Sequence, residues 1–69
     1  MAHVVRIDFL GLGVRYVAGA HTGELLTAEP GDARRFRSAL NADIAVGQWN
    51  RMLREISADD FEIQKERLT

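Results

Sequence analysis

Up to Ala28 the apolar residues tend to recur at every second position, whereas beyond Pro30-Gly31-Asp32 they recur every three or four. That change of period divides the chain into a β half and a helical half. Val5, Ile7 and Phe9 alternate with Val4, Arg6 and Asp8, residue types that suit a half-buried pleated surface. A second run, 14–18, follows Gly11-Leu12-Gly13. Gly11-Leu12 at the centre of a type II′ turn places glycine where φ must be positive. This register sets Phe9 against Val14, Ile7 against Tyr16 and Val5 against Ala18 on one apolar face, with Asp8 meeting Arg15 on the other. Gly23 suits a left-handed position in a second turn at 21–23. Residues 24–28 then return as a third strand, with Leu26 and Ala28 on the apolar face and Leu25 on the other, near Val17.

Asp32 is the helix N-cap candidate of the second half. Ala33, Phe36, Leu40 and Ile44 form one helical stripe; Ala45, Trp49, Met52, Leu53 and Ile56 form another. At 100° per residue the stripes lie roughly 165° apart. Either one straight helix is covered on two sides, or the chain bends near 41–43; two helices are the expectation. In the tail, Ser57 with Asp60 resembles a capping box, and residues 62–68 favour helix. Against that, Phe61 and Ile63 alternate with Glu62 and Gln64 as in an edge strand. The expected fold is therefore a single α+β domain spanning 1–69: an antiparallel hairpin or three-stranded meander over about 4–28, then two or three packed helices over about 32–68.

At 69 residues the chain buries only about 60% of the surface its unfolded form exposes, so its stability margin is narrow. It has no cysteine to cross-link it or to bind zinc through thiolates. A hydrophobic fraction of 46% with 28% charged residues marks a globular chain, not a disordered one. No apolar run approaches the ~20 residues of a membrane span, and the first residues lack a secretory-signal pattern. The expected location is cytoplasmic, with no membrane association.

Few residues carry a catalytic or ligand-binding pattern. Gly11-Leu12-Gly13 begins a dinucleotide fingerprint, but Tyr16 stands where the third glycine belongs and a strand follows where a helix should start. His21 and Glu24 lack further ligands for a metal. His3, near the N-terminus, is expected at the surface. Ser38 and Ser57 have no neighbouring histidine to act as base. Asp59-Asp60 read as acids at a helix start. The expectation is a non-enzyme without metal or cofactor.

Arg34, Arg35, Arg37, Arg51 and Arg54 support an alternative, a DNA-binding regulator with a helix-turn-helix-like segment at 32–56. Its details resist that pattern. Gln48 follows Gly47 where an apolar residue is usual, and Asp43 stands where a small one is expected. Five arginines against three acids leave residues 30–56 at only +2. The preferred reading is a small accessory or inhibitory protein that binds a protein partner or a second copy of itself. A product of a mobile element, such as a phage, or a subunit of a larger assembly would fit its size and its preference for arginine over lysine. It rests on apolar residues that a lone domain would struggle to cover, and its contact candidates are Leu10, Leu12, Arg34, Arg35, Arg37 and Trp49.

Overall fold

The computed structural model describes residues 2–56 and 60–68. Its elements are β1 (Ala2–Phe9), β2 (Gly13–Val17), β3 (Leu26–Thr27), α1 (Ala39–Glu55) and β4 (Phe61–Leu68). Single turns of 3-10 helix lie at Ala20–Thr22 and Pro30–Asp32. The strands form one antiparallel sheet in the order β3-β2-β1-β4. The α+β class and the β1–β2 hairpin match the sequence expectation. One helix stands where two or three were expected among the described residues.

The hairpin is longer by one loop residue than the sequence suggests. Phe9 pairs with Gly13 and Ile7 with Arg15. Leu10, Gly11 and Leu12 make the connection, and the Leu12 N–H donates to the Phe9 carbonyl at 3.1 Å. Gly11 and Gly13 have φ of 88° and 89°, a region that costs other residues, so both glycines are used by the turn. A one-residue slip turns every β2 side chain to the other face. Val17 thereby enters the main core instead of lying opposite it, while Tyr16 leaves. The expected Asp8–Arg15 pair is lost: Arg15 donates to the Val14 carbonyl at 2.9 Å, and Asp8 stands opposite Val14 and Glu62. The third strand shrinks to two residues; Leu26 packs on the core, but Ala28 is exposed.

The expected helix from Asp32 does not form, because residues 33–36 are held as extended chain between two strands. The β1–β2 ladder ends at Arg6 and Tyr16. Beyond it, Ala33 bridges Ala18 of the β2 side and Phe36 bridges His3 of β1. The Arg34 N–H donates to the Val17 carbonyl (2.8 Å) and the Gly19 N–H to the Asp32 carbonyl (2.9 Å). His3 and Phe36 exchange two bonds of 2.8 Å. This wedge satisfies backbone groups that the splayed strands would otherwise leave unpaired. It also makes His3 half-buried, contrary to expectation. The cap of α1 is Ser38, whose Oγ accepts from the Asn41 N–H at 3.1 Å.

The tail is a strand, not a helix. β4 pairs with β1 along its whole length, from Phe61 opposite Phe9 to Leu68 opposite Ala2, and forms one edge of the sheet. The free edge of β1 outweighs the local helix preference of residues 62–68, as tertiary pairing commonly does. No helix starts at Asp60; Ser57, the other half of the expected capping box, and Asp59 lie outside the described residues.

One face of the sheet meets α1. Val5, Ile7, Val17, Phe36, Ala42, Ala45 and Leu53 make the core, with Phe9, Leu26, Val46, Trp49, Phe61 and Ile63 packed around it. Lys65 reaches from β4 to Asp43 of α1 at 3.0 Å. Because that pair is substantially exposed, it adds little stability. A smaller buried set, Val4, Ala18, Thr27 and Ala33, lies outside this core.

Candidate interaction surface

The contact candidates fall into two groups at opposite ends of the sheet. Leu10 and Leu12 sit on the loop after Phe9, whereas Arg34, Arg35 and Arg37 lie on or beside the wedge, next to His3. From His3 to Phe9 is roughly 20 Å of strand at about 3.4 Å per residue. Leu10 and Leu12 are 78% and 70% exposed. Leu25 is exposed as well.

Trp49 belongs with the arginines. It is half-buried, packs on the core and, with Arg34, lines a hollow of about 350 Å³ between the wedge and α1. Its buried lining is Val17, Phe36 and Ala45; Asn41, Ile44 and Gln48 are exposed around it. The guanidinium carbon of Arg34 lies 4.9 Å from the centre of the Phe36 ring, a cation–π distance. Individually, Arg34 and Trp49 are legible in the sequence. Asn41 and Gln48 are not, because their place depends on where the wedge lies.

α1 takes only Leu40 and Ile44 from the first apolar stripe, because Ala33 and Phe36 lie in the wedge, and it turns most of the other stripe toward the sheet. Ala42, Ala45 and Leu53 are buried, with Val46 and Trp49 beside them. On the far side Leu40 is 68% exposed and Ile44 50%. The two residues are one helical turn apart and thus adjacent, and Ile44 continues into the hollow. Met52 and Ile56 are exposed nearer the C-terminal end. The bent two-helix unit on which the helix-turn-helix reading depended is absent: residues 33–37 precede the helix as extended or bent chain, and Arg51 and Arg54 lie on α1 itself.

At the hairpin end, Asp8, Asp60 and Glu62 surround a notch of about 380 Å³ beside Leu10 and Phe61. The Leu10 N–H donates to the Asp60 carbonyl at 2.9 Å, which ties the loop to the start of β4. Among the described residues no three His, Asp or Glu side chains are grouped so as to hold a metal. His21 approaches Asp32 (Nε2 to Oδ1, 3.5 Å), not Glu24. The Ser38 hydroxyl is engaged as the helix cap. Among the described residues no helix is long and apolar enough to cross a membrane.

Comparison of the chain with family models, curated proteins and solved structures yields no match.

Proposed function

We propose that this chain is a non-catalytic, cytoplasmic protein-binding module, an accessory or inhibitory protein that acts by surface complementarity. The observation that carries the reading is the uncovered pair Leu40 and Ile44 on the outer side of α1. Single exposed apolar residues are ordinary, but Leu40 and Ile44 are contiguous with each other and with a partly apolar hollow. The leucines of the hairpin loop form a second exposed apolar group. DNA binding is the less favoured reading, because Arg34, Arg35 and Arg37 precede α1 in non-helical chain and residues 32–56 do not form a two-helix unit.

The test is recovery of a partner from the native host by the wild-type chain and by two folded variants, Leu40→Gln/Ile44→Gln and Leu10→Ser/Leu12→Ser. The proposal expects a stoichiometric protein partner, or a second copy of the chain by light scattering, that at least one variant loses. Monomeric behaviour together with identical recovery by all three proteins would contradict it.

A further inference from the structure

The hollow beside α1 has a chemical bias that narrows the class of partner. Its volume of about 350 Å³ lies at the low end of the roughly 300–1,000 Å³ typical of small-molecule sites, a size suited to one or two inserted side chains. Among the described residues Arg34 is the one charged residue in its lining, and no acid lines it. The Arg34 N–H donates to the Val17 carbonyl, and its guanidinium carbon lies 4.9 Å from the Phe36 ring centre, a cation–π contact that favours the guanidinium beside the hollow. Among the described residues the Arg34 guanidinium has no carboxylate partner, nor do those of Arg35 and Arg37. Two acids close to this lining in sequence have other neighbours: Asp32 approaches His21, and Asp43 pairs with Lys65.

We propose that this hollow binds an acidic, apolar segment of a partner protein. A leucine or phenylalanine side chain enters against Phe36, Ile44 and Trp49, while a neighbouring carboxylate pairs with Arg34. Asn41 and Gln48 provide amide donors and acceptors for the segment's backbone. Arg35 and Arg37, on either side of Phe36 in the chain but outside the hollow's lining, add to the positive charge at this end of the sheet. The carboxylates of Asp8, Asp60 and Glu62 at the other end of the sheet repel the same segment and so favour one placement. A nucleic acid fits less well. The rim carries Ile44 with Leu40 beside it, apolar surface that a phosphate backbone leaves uncovered, and Arg34 alone is too few cations for the several phosphate contacts on which nucleic-acid affinity depends.

This inference rests on the protein-binding reading, and its test separates the two. The full chain is titrated, with Trp49 fluorescence and amide chemical shifts as readouts. The probes are a blocked peptide of about ten residues alternating Asp or Glu with Leu or Phe, the same peptide with Lys for its acids, an acidic peptide without apolar residues, and a single-stranded oligonucleotide. The first peptide is expected to saturate, with shifts at Gln48 and the Trp49 indole. Both other peptides and the Arg34→Glu variant should bind roughly tenfold more weakly or worse. Arg35→Glu/Arg37→Glu, at exposed positions, provides the same test of sign if Arg34→Glu disturbs folding. Failure to saturate, equal binding of the lysine peptide, indifference to both arginine variants, or tighter binding of the oligonucleotide would overturn the inference. A native partner lost by Leu10→Ser/Leu12→Ser but insensitive to the arginine variants would also overturn it, while leaving the protein-binding reading intact.

Discussion

Replacing Phe36 by alanine is expected to lower the unfolding free energy by about 3–5 kcal/mol, the range for large aromatic truncations in a core. Phe36 is buried in the main cluster, and its backbone exchanges both hydrogen bonds with His3. Its side chain therefore anchors the wedge that fills the gap between the splayed ends of β1 and β2. Arg34 loses its ring contact in the same substitution, worth about 0.5–1 kcal/mol at an exposed site. Small domains have little stability to spare, so the variant should be largely unfolded near room temperature. Urea denaturation of the wild type and the variant measures the loss. Native-state hydrogen exchange should also show the Arg34 and Phe36 amides protected in the wild type. A cost below about 1 kcal/mol would mean that residues 33–36 lie on the fold without holding it together.

Ile7→Ala is the second substitution with a large expected effect, about 2–5 kcal/mol. Ile7 is fully buried on the central strand, with Arg15 opposite it on β2 and Ile63 on β4. Strands on both sides and core residues of α1 restrict relaxation into the vacated space, which pushes the cost toward the upper part of the range. The same truncation at Ile63, half-buried on the edge strand, should cost distinctly less. Denaturant midpoints for the pair test this ranking. Equal losses would contradict the placement of Ile7 at the centre of the sheet.

The parts of the fold legible in the sequence are those set by local pattern. Val5, Ile7 and Phe9 alternate as the central strand requires, and Gly11 and Gly23 adopt the expected positive φ, which Gly13 takes as well in the longer turn. The register was not legible. An attractive Asp8–Arg15 pair weighed less than bringing Val17 under the helix, a benefit visible only once α1 is in place. Ala33 and Phe36 stand three apart and continue into Leu40 and Ile44, so they imitate a helix. Their burial in fact comes from bridges to Ala18 and His3, fifteen and thirty-three residues away. The tail misleads in the same way, since β1, distant in sequence, decides its state.

The candidate surface divides along the same line. Exposure of Leu10, Leu12 and Leu25 followed from their position at turns and off the apolar face, and it is observed. The surplus stripe was also visible, although its resolution was not. Neither a bend nor a second covering layer resolves it: Ala33 and Phe36 leave the helix for the wedge, and Leu40 and Ile44 stay in solvent on α1. The meeting of Arg34 with Trp49 depends on the wedge, and so on pairings that local spacing does not encode.

The central claim is that this fold leaves apolar surface on α1 for another molecule to cover, and urea denaturation of Leu40→Gln/Ile44→Gln tests it most directly. Glutamine keeps helix propensity close to that of leucine and isoleucine, so the experiment reads burial. If both side chains face water, the unfolding free energy should stay within about 0.5 kcal/mol of the wild type. A loss of about 2 kcal/mol or more, the scale of a buried aliphatic side chain, would show that the domain covers this stripe itself.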